Sequence, residues 1–240
     1  MMIAIRFRAG LRPGLAPSKV HSTLSTAPSF FPTLCLNSPG LKVDPATKRL
    51  WALQNEDANP RLEIIDPATK QTKSYLFGPT LHGGGYDDIV FLGGKVYISA
   101  SNPAHNPNTG PAIVSAVLKP EGKVAVAPVL QGTAQAIDIP TDKSIRLNLQ
   151  DPDSMTADPL GDIVLDSQAD QELIIVTDPG ALNQRALRLP LSYETAKGRV
   201  RVAVDDTAFA TSAAGFILFA DKKLNKVYVL QKEAFSPGTA

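Results

Sequence analysis

The chain has 240 residues, enough for one large domain or two small ones and for a sizeable core. Its 24 Lys and Arg against 23 Asp and Glu give a net charge of +1, without the basic excess that holds nucleic-acid phosphates. With 43% apolar and 20% charged residues it is not a wholly disordered chain, no apolar run approaches the ~20 residues of a membrane span, and the single Cys35 makes neither an internal disulfide nor a cysteine-rich metal site.

No Asp or Glu precedes Asp44, whereas Arg6, Arg8, Arg12, Lys19 and Lys42 all do, which leaves 19 basic against 23 acidic residues in the remainder. Residues 1–36 therefore read as a basic leader and 37–240 as the folded domain. A secretory signal needs an apolar core of about 7–15 residues, and Arg6 and Arg8 interrupt the apolar stretch 1–5. An organelle transit peptide fits the composition, but Pro13 and Pro17 oppose a long amphipathic helix. The third reading, a poorly ordered extension partly docked through the apolar run 30–36, is preferred. The compartment stays open: periplasmic or secreted if the leader is an incomplete signal, cytoplasmic otherwise.

From Leu41 onward short apolar and β-branched runs are separated by Gly, Pro, Asn and Asp, the pattern of an all-β chain. Val96, Ile98 and Ala100 alternate with Tyr97, Ser99 and Ser101, which places the two sets on opposite faces of a strand. The runs group in fours. The first group is 41–44, 49–54, 61–66 and 73–77, and the second is 87–92, 95–101, 112–119 and 123–130. The third is 154–157, 162–167, 172–177 and 186–191. The fourth is 207–211, 216–220 and 226–231, with no convincing outer strand. Four-stranded units of this length predict the blades of a β-propeller, four or five of them, closed by a leader strand or belonging to a larger ring. Residues 131–150 read as an inserted hairpin. Asp44-Pro45-Ala46-Thr47 and Asp66-Pro67-Ala68-Thr69 read as turns between strands.

Registering the units on their first strands aligns Asp87, Asp153 and Asp205, followed by Asp88, Ser154 and Asp206. The first strand of a blade is innermost, so its entry lies at the mouth of the central channel. Carboxylates gathered there repel one another unless a cation joins them, and calcium takes such oxygen donors. Asp87, Asp153, Asp205 and Asp206 are thus candidate ligands of a divalent cation, Ca²⁺ foremost. Turn capping explains each aspartate singly just as well. His82 lies five residues before Asp87 beside Gly83-Gly84-Gly85. It reads as a general base at the mouth or as a solvated loop histidine. Asp88 is a second candidate base. His105 sits in a polar loop, 102–110, that could wall a pocket.

The stretch Asp151-Pro152-Asp153-Ser154-Met155-Thr156-Ala157-Asp158-Pro159-Leu160-Gly161-Asp162-Ile163-Val164 resembles the Pro-Asp-Gly-Met…Asp…Gly signature of the gluconolactonase (senescence marker protein) propellers. Ser154 stands where the signature has Gly, the family's other ligand elements are not recovered, and the match carries over to Asp153 only. The resemblance implies a β-propeller in which Asp153 binds a divalent cation and takes part in lactone hydrolysis. The expected activity is then a calcium-dependent hydrolase of a sugar lactone or acyl-homoserine lactone, with His82, Asp88 and Asp153 in catalytic roles. A binding propeller with a structural metal and an incomplete, inactive propeller are the alternatives. The expected partner is a small molecule, not nucleic acid or a membrane; the oligomeric state is open.

Overall fold

In a computed structural model, the structure describes residues 21–22, 40–55, 59–210, 212–221 and 226–232. Strands are the regular elements there, and no helix is long and apolar enough to cross a membrane. The apolar run 30–36 lies outside the described residues.

After β1 (His21–Ser22), the first blade is an antiparallel meander of β2 (Leu41–Val43), β3 (Leu50–Gln54), β4 (Arg61–Ile65) and β5 (Thr72–Phe77). The second blade is β6 (Ile89–Leu92), β7 (Lys95–Ser99), β8 (Pro111–Lys119) and β9 (Lys123–Gln131). The outer strands β5 and β9 pair in parallel at Leu76–Lys123 and Phe77–Val124, joining both blades into one eight-stranded sheet. Residues 131–150 carry the hairpin β10 (Gln135–Asp138) and β11 (Lys143–Arg146). The third blade follows as β12 (Pro152–Ala157), β13 (Ile163–Ser167), β14 (Glu172–Thr177) and β15 (Arg185–Pro190). The hairpin adds to its outer edge through a parallel β10–β15 pairing.

Local chemistry accounts for the turns. In both Asp-Pro-Ala-Thr segments the aspartate caps the turn: Asp44 accepts from the Ala46 N–H and the Thr47 hydroxyl, Asp66 from the Ala68 and Thr69 N–H groups. Between β6 and β7 the two-residue turn puts Gly93 and Gly94 at φ of 57° and 74°, the left-handed pair that such hairpins need.

The fourth unit departs from the sequence expectation. No strand forms over 207–210. Val204 instead joins the buried apolar face made by Val164, Leu173 and Leu191, with Val202 and Phe209 packed against it. Burial on the third blade thus takes the place of strand pairing. An unpredicted hairpin, β16 (Ser192–Thr195) with β17 (Gly198–Arg201), precedes this segment. It is almost wholly exposed, so no apolar alternation announced it. Beyond it β18 (Gly215–Asp221) pairs with β19 (Lys226–Lys232), and β1 pairs with β19 at His21–Val229 and Ser22–Tyr228.

The cores lie between blades. One is shared by the first and second, around Leu53, Leu62, Ile89, Ile98 and Val114. Another is shared by the second and third, around Ile113, Leu149, Met155, Leu165 and Ile174. The blades thus stack face to face with β2, β6 and β12 as neighbouring inner strands, the β-propeller arrangement. A cavity of about 300 Å³ runs between these strands, lined by Lys42, Ile89, Phe91, Met155 and Ala157 among others.

Candidate functional site at the channel mouth

The three inner strands enter from one end. Leu41, Ile89 and Met155 hold equivalent places, opposite Ala52, Ile98 and Leu165, so Gly40, Asp88 and Ser154 are the equivalent residues before them. A Cβ at Gly40 would stand 2.2 Å from the Asp87 carbonyl oxygen, so only glycine lets the first blade come this close to the second.

Asp88 ties all three blades together. Its Oδ2 accepts from the Met155 N–H of β12 at 2.9 Å and from the Lys42 ammonium of β2 at 3.0 Å. Oδ1 accepts from the Ile89 N–H at 2.8 Å, and the Asp88 N–H donates to Ser99 Oγ at 2.8 Å. Lys42 also reaches the Met155 carbonyl at 3.5 Å. The carboxylate read from sequence as a candidate base is therefore engaged at both oxygens, and its work is to join strands.

The third blade inverts this pair. Asp88 and Ser99 of the second blade are matched by Ser154 and Asp166, so hydroxyl and carboxylate have changed places. A β-bulge falls between Pro152 and Met155 and contains Asp153 and Ser154. Asp166, on β13, is 1% exposed. Neither of its oxygens, nor Ser154 Oγ, has a hydrogen-bond partner among the described residues. Burial first, and then the charges of Asp153, Asp205, Asp206 and Asp151, push its pKa up to about 8.

The surrounding carboxylates are held by loop donors. Gln168 Nε2 donates to Asp205 Oδ1 at 2.8 Å, and the Ala169 N–H to Asp151 Oδ2 at 3.1 Å. Asp170 Oδ2 accepts from the Ser167 hydroxyl at 2.6 Å and the Gln150 N–H at 2.7 Å. Asp206 accepts from the Thr207 N–H at 2.7 Å, the same local turn as Asp88 with Ile89. Burial raises the Asp206 pKa, Lys42 opposes that rise, and Asp88 and Asp205 add to it.

Of the candidate ligands, Asp153, Asp205 and Asp206 thus lie near enough for their charges to act on Asp166. The Asp87 backbone, in the second blade, lies against Gly40 of the first, and its N–H donates to the Ser99 carbonyl at 3.2 Å. Among the described residues no three His, Cys, Asp or Glu side chains are grouped to hold a metal ion. His82 is not a solvated loop residue. It is 4% exposed, its Nε2–H donates to the Gly85 carbonyl at 2.6 Å, and its Nδ1 is buried as well. Its ring lies 5.4 Å from that of Tyr86, and burial lowers its pKa. His105 is exposed in a loop that Asn108 clamps to the third blade's entry through Asn148 Oδ1 and the Leu149 carbonyl, at 2.9 and 2.8 Å.

Sequence reasoning passed over Lys42 and Asp166. Each left a faint signal: Lys42 is the one charge in an inner strand read as Leu-Lys-Val, and Asp166 interrupts the apolar run Ile163-Val164-Leu165.

No protein-family model matches the chain, and no curated protein matches it. Among solved structures it is similar to an auxiliary nutrient binding protein from Bacteroides thetaiotaomicron, at 13% identity over 79% of this chain with a TM-score of 0.40. The chain spans 46% of that protein's length. It is also similar to virginiamycin B lyase from Staphylococcus aureus, at 12% identity over 83% of this chain and 96% of that one, with a TM-score of 0.30. Neither is a gluconolactonase.

Proposed function

We propose that the protein is a hydrolase of lactone type that acts at this channel mouth with a divalent cation, calcium suiting donors that are all oxygen. The observation that carries the reading is Asp166: a carboxylate 1% exposed, without a hydrogen-bond partner among the described residues, and under the charges of Asp153, Asp205, Asp206 and Asp151. Lys42 is the ammonium at this mouth, and Asp88 and Asp206 already draw on it. The donor chemistry fits a hard cation, with Asp153 and Asp166 the residues that would hold it. When bound, such an ion supplies a Lewis acid for a lactone carbonyl.

The chain's own residues do the rest. Asp205 is exposed and oriented by Gln168, so water can reach it and its carboxylate can take a proton from an attacking water. The Lys42–Asp88 pair keeps the three entries in register. His82, with both ring nitrogens sealed in protein, supports the 82–85 loop rather than exchanging protons with a substrate.

A binding propeller without catalysis is the second reading, favoured by the lack of three grouped metal-binding side chains among the described residues. Hydrolysis of a small lactone panel, followed by proton release in calcium and then in EDTA, separates the two. Turnover that stops in EDTA and returns with calcium supports the hydrolase. A folded, monodisperse sample inactive in both conditions overturns it and leaves the binding module.

A further inference from the structure

We infer that the cation sits off the channel axis, in the bulge of β12, on Asp166, Ser154 Oγ and Asp153. This rests on the cation reading above and locates its site. Three observations on different atoms point there. Among the described residues neither oxygen of the buried Asp166 has a hydrogen-bond partner, and neither does the buried Ser154 hydroxyl on the adjoining strand. A buried carboxylate and hydroxyl left without partners are costly unless something binds them. The bulge falls at Asp153 and Ser154, where the extra residue of a bulge re-aims side chains and where functional sites concentrate.

The second blade supplies the internal control. There the same two positions hold Asp88 and Ser99, and both side chains have partners: Asp88 has Lys42, Met155 and Ile89, and Ser99 Oγ accepts from the Asp88 N–H. A protein cation, the Lys42 ammonium, thus already stands among the inner strands. In the third blade the inverted pair has neither an ammonium nor a backbone N–H as hydrogen-bond partner among the described residues. The donors required are two carboxylates and a hydroxyl, a hard-oxygen set of the kind calcium accepts, with carbonyls or water completing its usual shell of 6–8 ligands.

The test is calorimetric titration of chelator-treated full-length protein with CaCl2, beside the lactone assay. Saturable binding is expected, abolished in Asp166→Asn, weakened tenfold or more in Ser154→Ala and unchanged in Asp87→Asn. Binding that survives both Asp166→Asn and Ser154→Ala, or that is lost in Asp87→Asn, overturns the bulge site. Absence of binding in the unmodified protein overturns it too. Lactone turnover that is indifferent to EDTA would then leave the hydrolase standing without its cation, whereas calcium binding without turnover would leave the cation site standing without the hydrolase.

Discussion

A carboxylate carried out of water needs a countercharge or several donors, and this chain shows both outcomes one blade apart. Asp88 has an ammonium and two backbone N–H groups. Asp166 has none. In cation-free buffer at neutral pH Asp166→Asn should therefore raise stability, by about 1–3 kcal/mol, because the amide keeps the shape and polarity of the side chain but carries no charge for burial to penalise. Asp88→Ala should lower it by about 2–4 kcal/mol, since it strands the Met155 and Ile89 N–H groups and frees Lys42. Urea titrations of the three proteins read both changes. His82 makes a third residue-scale prediction. Its folded-state pKa lies below the unfolded value of 6.5, so the unfolded chain binds more protons as pH falls through that value. Stability present above about pH 6.5 is lost below it, at up to about 1.4 kcal/mol per pH unit. Asp166, its folded-state pKa pushed up to about 8, contributes with the opposite sign over the same range, so the His82 share is read as a difference. From pH 7 down to 5 the melting temperature of His82→Gln should rise relative to that of the unmodified protein, and a constant difference would refute the assignment.

Among the elements, the hairpin β10–β11 is fastened by Arg188 of β15, which donates to Asp138 at 2.9 Å and to Glu172 at 2.6 Å. Burial raises the Glu172 pKa even with Arg188 beside it, so desolvation outweighs the pairing. Arg188→Met should leave Glu172 buried with only the more distant Arg201, 4.0 Å away, as countercharge and cost about 2 kcal/mol. Amide hydrogen exchange in 135–146 should quicken in that variant more than exchange in β3 or β4. Equal quickening everywhere would show that the hairpin unfolds only with the whole. The repeated Asp-Pro-Ala-Thr turns were legible in sequence because their bonds are local. The bulge at Asp153 and Ser154 was not, because a bulge is a mismatch between two strands and has no signature in one of them.

Across the molecule, each blade shares its buried faces with its neighbours, so the first three should unfold together. The single tryptophan, Trp51, belongs to the core between the first and second blades. Leu165 is fully buried in the core between the second and third. Leu165→Ala should destabilise by about 2–5 kcal/mol and move the Trp51 fluorescence transition as far as the far-UV circular dichroism transition. A fluorescence midpoint that stays while the dichroism midpoint shifts would mean independent blades.

Fold class, the strands of the first three units and the turns between them follow from the sequence by itself, because alternating burial and local capping act over a few residues. The register that aligned Asp87, Asp153 and Asp205 came from the same repeats. What those aspartates meet was decided only by tertiary structure. Packing set Gly40 against Asp87, brought Lys42 from the first blade to Asp88 in the second, and enclosed the Asp166 carboxylate and the Ser154 hydroxyl in the third with no hydrogen-bond partner among the described residues. It also laid the segment around Val204 on the third blade where a strand was expected. Charge compensation and desolvation depend on groups brought from distant parts of the chain, and no window of sequence contains both partners.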